Sequence, residues 1–235
     1  MNKTNQLYEG KAKIVYETDE PDKLIVYFKD DATAGNGEKR GTIAEKGIIN
    51  NKMSEFFFKL LKTNGINSHF IETINDREMV VRRLKMIPLE VIVRNVVAGS
   101  LVKRMGWDEG TPLKTPVLEY DYKNDKLGDP LLNRYHIMAL DIARVYELDE
   151  IEHIAFSANQ IMMNLLKSKN ITLIDFKLEF GLDDKGKVVL ADEISPDNCR
   201  FWDMTTNEKL DKDRFRYDMG GVEEAYKEIL TRVTA

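Results

Sequence analysis

The chain has 235 residues, of which 43% are hydrophobic and 32% are charged, so it can bury a sizeable core and is not a disordered polypeptide. Its formal net charge of −5 argues against general nucleic-acid binding, because nucleic-acid-binding proteins usually carry a basic excess. The single cysteine, Cys199, excludes an intramolecular disulfide, and no stretch approaches the length of a transmembrane helix. We therefore expect a cytoplasmic protein with no nucleic-acid and no membrane partner.

The first elements are two predicted strands, residues 12–17 and 24–29, separated by a polar loop that contains a proline. Gly10 precedes the first strand, and Lys11 and Lys13 are two residues apart, on the same side of the chain. Lysines near the start of a strand are usually solvated. The glycine beside them allows a ligand to approach the backbone closely, so an anion-binding role is the alternative.

Residues 30–41, DDATAGNGEKRG, are rich in glycine and predict a loop. This loop is either a plain connector or a segment that closes over an anionic substrate. Apolar residues at three- and four-residue spacing predict a helix over residues 42–62, and strands are expected at 68–74 and 78–84. These elements predict an N-terminal α+β lobe, residues 1–86, in which an antiparallel sheet packs on one helix.

A mixed α+β lobe, residues 87–235, is predicted to follow, with Pro88 stiffening the crossing point. It begins with a buried strand, residues 89–97, that carries Arg94, followed by a short helix at 101–105. Ser100 is either the N-cap of that helix or, together with Arg94, part of a phosphate site. Further elements are predicted at residues 117–122 (strand), 149–167 (helix) and 222–233 (helix), whereas residues 131–150 receive no assignment.

The stretch 171–200 predicts a β-hairpin that carries charged groups on one face. Lys177 and Glu179 alternate with apolar residues in the period-2 pattern of a strand, and residues 183–186 supply turn chemistry. A tight turn sets Lys177 opposite Asp192, with Glu179 one diagonal step away. These charges are either surface salt bridges or a site; we favour a site, because polar side chains on so apolar a strand face solvent or a charged ligand.

Two carboxylates without cysteine or paired histidines suit a hard cation such as Mg²⁺, which commonly shares its coordination with nucleotide phosphates. Lys11, Lys13 and Lys177 then neutralise those phosphates, although the chain has no Walker motif. Arg94, Ser100 and Arg200 form a separate anion pocket. The residues alone therefore indicate an ATP-dependent transferase or ligase that acts on a small anionic molecule.

Several segments also resemble one known family. LIDFKLEFG at 173–181 and IPLEVIVRNVVAGS at 87–100 are similar to the two signature segments of the SAICAR synthetases, and further similarity lies in LYEGKAKIVY, GDP at 128–130, ADEISPDNCRFWD and DKDRFR. The resemblance implies a two-lobed α+β fold around a nucleotide cleft, in an ATP-grasp- or kinase-like arrangement. It also implies an ATP-dependent ligase of purine biosynthesis that joins L-aspartate to the carboxylate of the ribonucleotide CAIR through an acyl phosphate.

The resemblance further implies roles for individual residues. Lys177, Glu179 and Asp192 form the catalytic centre, in which Glu179 and Asp192 hold Mg²⁺. The ATP contacts are Lys11, Lys13, Lys85, Met86, Lys123, Glu179 and Asp192, with Asp125 as a weaker candidate. The ribonucleotide contacts are Arg94, Ser100, Asp197 and Arg200. Residues 30–40 are expected to close over L-aspartate, and the family resemblance suggests a homodimer.

Two other functions stay open at this point. A small-molecule kinase would use the same cleft but stop at phosphoryl transfer. A non-catalytic nucleotide-binding module is disfavoured, because both candidate metal carboxylates and Lys177 are present.

Overall fold

A computed structural model describes residues 1–235, apart from the side chain of residue 36, and its fold is α+β with antiparallel sheets. The strands are β1 (Lys3–Glu9), β2 (Lys13–Thr18), β3 (Lys23–Phe28), β4 (Asp31–Ala34), β5 (Lys39–Thr42), β6 (Phe70–Asn75), β7 (Glu78–Arg82), β8 (Lys85–Val96), β9 (Pro112–Tyr122), β10 (Leu131–Leu132), β11 (Ile171–Leu182), β12 (Val188–Ala191) and β13 (Cys199–Asp203). The helices are α1 (Lys46–Thr63), α2 (Ser100–Met105), α3 (Arg134–Ala139), α4 (Val145–Ser168), α5 (Asp213–Arg216) and α6 (Val222–Thr234).

Five strands form the first sheet, in the order β1-β2-β3-β7-β6. The predicted strands before residue 86 are present, with their ends shifted by one or two residues. Strand β1 was not predicted. It is the edge strand, and all seven of its residues are exposed, so its sequence carries no alternation of buried and exposed side chains.

The prediction that residues 30–41 form a loop is wrong. Strands β4 and β5 pair antiparallel, from Asp31 with Thr42 to Ala34 with Lys39, around a short 3₁₀ turn at Gly35–Gly37. Helix α1 consequently begins at Lys46 rather than at residue 42. A two-stranded ribbon is held by backbone hydrogen bonds, so it can form without the apolar pattern that the prediction required.

The second sheet has the order β10-β9-β8-β11-β12, and β13 pairs with the first half of β11. Strand β8 begins at Lys85, four residues before the predicted start, and runs through Pro88. The pairing register shifts between Glu179 and Gly181 of β11, next to Pro88, because a proline has no N–H to donate to the ladder. The division into lobes at residues 86 and 87 stays a prediction.

The two sheets and the long helices share one buried apolar cluster. Its members include Val26 of β3, Phe57 of α1, Ala155 of α4, Phe176 of β11 and Ile229 of α6. Helix α1 presents one face to this cluster and to α6, and α4 packs on β11. Among the described residues, no helix is both long enough and apolar enough to cross a membrane.

Candidate active site

Lys177 lies among three carboxylates at the centre of the second sheet. Its Nζ is 2.7 Å from Oε1 of Glu179, 3.0 Å from Oε1 of Glu90 and 3.6 Å from Oδ2 of Asp192. Glu179 is 2% exposed, so its carboxylate is almost fully removed from bulk water. The charged face predicted for β11 is therefore a compact cluster of opposite charges rather than a scattered set of surface salt bridges.

The backbone geometry that places Asp192 in this cluster differs from the prediction. Ala191, not Asp192, is the cross-strand neighbour of Glu179, so the predicted opposition of Lys177 and Asp192 is wrong. Asp192 follows the end of β12 with a left-handed backbone, φ 64°. That turn brings its carboxylate back to the face of the sheet that carries Lys177.

Lys13 of β2 connects the first sheet to the same cluster. Its Nζ contacts Asp192 directly and lies 2.9 Å from Oε1 of Glu193. Burial by itself would raise the pKa of Asp192, but the ammonium groups of Lys13, Lys177 and Lys123 hold that pKa well below its usual range. Asp192 is therefore a carboxylate at neutral pH.

The remaining residues predicted to contact ATP differ in whether they contact this cluster and in how exposed they are to solvent. Lys123 contacts the second oxygen of Glu179. Lys11 lies further out, where its Nζ is 2.7 Å from Oδ1 of the exposed Asp125 and its side chain lines the cavity described below. Lys85 and Met86 are exposed at the start of β8, across from the end of β11.

A second cluster of charges joins Arg94 to Arg200 through Asp175. Arg94 Nη1 and Arg200 Nη1 are each 2.8 Å from Oδ2 of Asp175. Arg94 Nη2 also donates to Oγ of Ser100 at 2.9 Å. The N-cap of α2 is Gly99, without a side-chain cap, so the N-cap interpretation of Ser100 is wrong and its hydroxyl belongs to the arginine cluster.

Asp197 has both carboxylate oxygens engaged by buried groups. Lys46 Nζ is 2.7 Å from Oδ2, and Tyr226 Oη donates to Oδ1 at 2.7 Å. Lys212 Nζ lies 3.6 Å from Oδ2. Burial opposes ionisation of Asp197, yet Lys212 and Lys46 hold its pKa well below the usual range.

Lys46, Lys212 and His69 are site residues that the sequence did not single out. Lys46 is fully buried at the start of α1, and Lys212 lies within DKDRFR, a segment noted only for its resemblance. His69 places Nε2 3.1 Å from the carbonyl oxygen of Asp192. An isolated polar residue in a helix or connection carries no periodic signal, so only the similarity of DKDRFR to the family could have marked one of them, Lys212.

One cavity of about 410 Å³ is lined by members of both charge clusters and by Asp197. Its lining includes Lys177 and Glu90 from the first cluster, Arg94, Ser100 and Arg200 from the second, and Asp197 with Lys212. Residues of the β4–β5 ribbon, among them Thr33 and Gly35, line the same space. A lysine–carboxylate centre that shares a cavity with an arginine pocket has the charges that an enzyme needs to bind and activate an anionic small molecule.

Known proteins are similar to the chain along its whole length. The family model described as SAICAR synthetase matches residues 6–233. A phosphoribosylaminoimidazole-succinocarboxamide synthase of Clostridium kluyveri is 58% identical over 234 residues, covering 100% of this chain and 99% of the relative. One of Clostridium botulinum is 55% identical over 234 residues and covers 100% of both chains. The chain belongs to the SAICAR synthetase family.

Solved structures agree with this assignment. The phosphoribosylaminoimidazole-succinocarboxamide synthase from Ehrlichia chaffeensis superposes with a TM-score of 0.96 at 44% identity, covering 98% of this chain and 99% of that one. A SAICAR synthetase (Type-2) in complex with ADP gives a TM-score of 0.94 at 52% identity, covering 97% of each chain. The predicted fold class is confirmed, and the protein is an ATP-dependent carbon–nitrogen ligase of purine biosynthesis.

Proposed function

We propose that this enzyme joins L-aspartate to the carboxylate of CAIR and forms SAICAR, ADP and phosphate. The observation that carries the proposal is the shared cavity, with Lys177 among carboxylates in one part and Arg94, Ser100 and Arg200 in another. CAIR carries a phosphate at one end and a carboxylate at the other. The arginine pocket suits the phosphate, and Lys177 suits the carboxylate. The ADP-bound relative supports the use of a nucleotide beside it.

The reaction needs ATP because a carboxylate oxygen is a poor leaving group. In the first step a carboxylate oxygen of CAIR attacks the γ-phosphorus of ATP, forming an acyl phosphate and releasing ADP. The amine of aspartate then attacks the acyl carbon. The C–N bond forms, the C–O bond breaks, phosphate leaves, and the amine loses a proton. The protein contributes mainly positioning and neutralisation of charge.

Lys177 is suited to stabilise charge rather than to act as a base. Burial disfavours its ammonium form, but the carboxylates of Glu179, Asp192 and Glu90 raise the pKa of Lys177 well above its ordinary value. It therefore stays protonated at neutral pH. We propose that it lies beside the transferring phosphoryl group and stabilises the charge that develops there.

The phosphates of ATP are proposed to bind Lys11, Lys13 and Lys123, while Lys85 and Met86 flank the adenine. Burial lowers the pKa of Lys13, but Asp192, Glu193 and Glu179 outweigh it and leave the pKa raised. A permanently charged lysine suits phosphate binding, since it keeps its charge through each catalytic cycle.

Magnesium is the proposed cofactor, held by Glu179 and Asp192. In the described part of the chain no cluster of three or more histidine, cysteine or acidic side chains could form a protein cage for a metal. Mg²⁺ fits the oxygen-only pair instead, because it usually takes one or two protein carboxylates and completes its shell with water and phosphates. When bound, it would supply positive charge to the nucleotide phosphates.

The arginine pocket is proposed to hold the phosphate of CAIR. Arg94 and Arg200 present forked guanidinium groups, and Ser100 adds a hydroxyl. Asp197 lies at the proposed imidazole end of the cavity with Lys212. The β4–β5 ribbon, which contributes Thr33 and Gly35 to the lining, is proposed to cover L-aspartate.

Gly99 offers a test of the phosphate pocket. A Cβ at this position would lie 2.5 Å from Nη2 of Arg200, and its φ of +55° disfavours any side chain. Gly99→Ala is expected to displace the guanidinium and raise the KM for CAIR about tenfold or more, with a much smaller change for ATP. Steady-state kinetics with each substrate varied in turn measures this, and Gly106→Ala is the control because a Cβ there has no neighbour within 4 Å despite a similar φ. An equal rise in both KM values would contradict the pocket.

A coupled assay of ADP release tests the proposed reaction. ADP should form only when ATP, CAIR and L-aspartate are all present, together with Mg²⁺. ADP formed from ATP and CAIR alone, with a stable phosphorylated product, would instead indicate a kinase. Binding of ADP without turnover in the presence of all three substrates would indicate a non-catalytic module.

A cytoplasmic homodimer is the last part of the proposal. Exposed apolar side chains concentrate around α3 and the start of α4, where Tyr135 is 76% and Leu140 63% exposed, with Val145 and Tyr146 nearby in the chain. Such a surface supports association with a second copy. A molar mass in solution of one 27.1 kDa chain would contradict it.

A further inference from the structure

Asp192 holds a backbone conformation that aspartate adopts infrequently. Its φ is 64°, in the left-handed region. If β12 simply continued beyond Ala191, Asp192 would lie opposite Leu178, whose side chain is fully buried on the other face of the sheet. Because Asp192 adopts the left-handed conformation, its side chain lies on the opposite face, and its carboxylate contacts Lys13 and lies 3.6 Å from Lys177. The position of this carboxylate therefore depends on the left-handed conformation of one residue.

His69 supplies a contact at this point. Its ring Nε2 is 3.1 Å from the backbone oxygen of Asp192, and since a carbonyl oxygen only accepts, Nε2–H is the donor. The hydrogen bond is made to the main chain, so it acts on the conformation of Asp192 and does not compete with Lys13 and Lys177 for the carboxylate oxygens.

The backbone of His69 is itself anchored on both sides. Its N–H donates to Leu190 of β12 at 2.7 Å, and its carbonyl accepts from the N–H of Arg82, which ends β7, at 2.7 Å. The ring packs edge-on against Phe58 of α1, with centroids 5.5 Å apart. His69 is 7% exposed, so both its main chain and its ring are fixed by the surrounding fold.

We propose that His69 is a positioning residue: its Nε2–H holds the carbonyl of Asp192, and thereby keeps that residue in the left-handed conformation that directs its carboxylate to the site. The inference rests on the proposed role of Asp192 in holding Mg²⁺ with the nucleotide. The relevant property of His69 is a rigid N–H donor at this location. Any side chain that supplies such a donor should substitute in part, and an apolar ring of similar size should not.

His69→Phe and His69→Gln test the proposal as a pair, because phenylalanine keeps a ring without the donor and glutamine keeps an N–H donor. His69→Phe is expected to weaken ADP binding in the presence of Mg²⁺ by about 10- to 100-fold, the usual effect of losing a group that orients a metal ligand. ADP binding in EDTA and the KM for CAIR should change less than about twofold, and His69→Gln should recover most of the loss. Titration calorimetry with ADP, with and without Mg²⁺, gives the binding readout.

His153→Phe is the matched control, since it makes the same replacement at an exposed histidine of α4. If His69→Phe fails to fold by circular dichroism, His69→Met takes its place. Wild-type affinity in the variant without a donor would overturn the proposal, as would equal losses in His69→Phe and His69→Gln. Failure of the wild-type enzyme to require aspartate and CAIR for ADP release would overturn the proposed function instead.

Discussion

Replacing Asp192 by asparagine is expected to lower kcat by about 10²- to 10³-fold while leaving the chain folded. Asparagine has nearly the same shape and keeps an oxygen, but it removes the negative charge that Lys13 and Lys177 face. The depressed pKa of Asp192 means that this charge is present at neutral pH in the wild type. Steady-state kinetics over a range of Mg²⁺ concentrations measures the loss.

Asp184→Asn is the matched control for this change, because Asp184 is exposed in the turn of the same β11–β12 hairpin. It should behave as wild type. Should Asp192→Asn reach wild-type turnover at saturating Mg²⁺, Asp192 would have no essential part in holding the metal and nucleotide.

Replacing Arg200 by alanine is expected to raise the KM for CAIR about 10- to 100-fold and to change the KM for ATP far less. The guanidinium lines the cavity beside Arg94 and is proposed to contact the ribonucleotide phosphate directly. Removal of the Arg200 guanidinium does not leave either of its carboxylate partners without a cation. Asp175 keeps Arg94 at 2.8 Å, and Asp213 keeps Arg216 at 2.6 Å. Kinetics with CAIR and ATP varied separately provides the measurement.

Arg104→Ala serves as the control for Arg200→Ala. Arg104 is partly exposed and pairs with Glu119, which also contacts Arg94, but it does not line the cavity. A comparable rise in the KM for CAIR in this control would mean that general loss of positive charge, rather than a phosphate contact, causes the effect.

Strand periodicity singled out charged residues on β8 and β11, whereas Lys123 and Asp197, which lie on connections, were named only through the family resemblance. Lys177, Glu179 and Arg94 interrupt apolar strands at defined positions, so period-2 alternation alone indicated their shared importance. Asp192 lies near Lys177, as predicted, but not in the predicted register, because this residue with positive φ follows β12 and changes the direction of its side chain. No local pattern reports such a turn at an aspartate.

The burial of Lys46 could not be predicted from the sequence. It is fully buried, yet in the sequence it is an ordinary lysine near the start of an amphipathic helix. Its burial arises only when α1 packs against the segment that carries Asp197, about 150 residues further along. Contacts of that separation are set by tertiary packing, which the propensities and periodicity of a single segment cannot encode.

The single buried cluster shared by both sheets has a thermodynamic consequence. Because side chains of β3, α1, β11 and α6 belong to one apolar core, loss of packing in any of them lowers the free energy of unfolding of the whole chain. A nucleotide bound, as proposed, between Lys13 of the first sheet and Lys177 of the second would therefore add its binding free energy to the stability of the whole chain. Stability and substrate occupancy are linked, and a destabilised variant regains part of its native population whenever the cleft is filled.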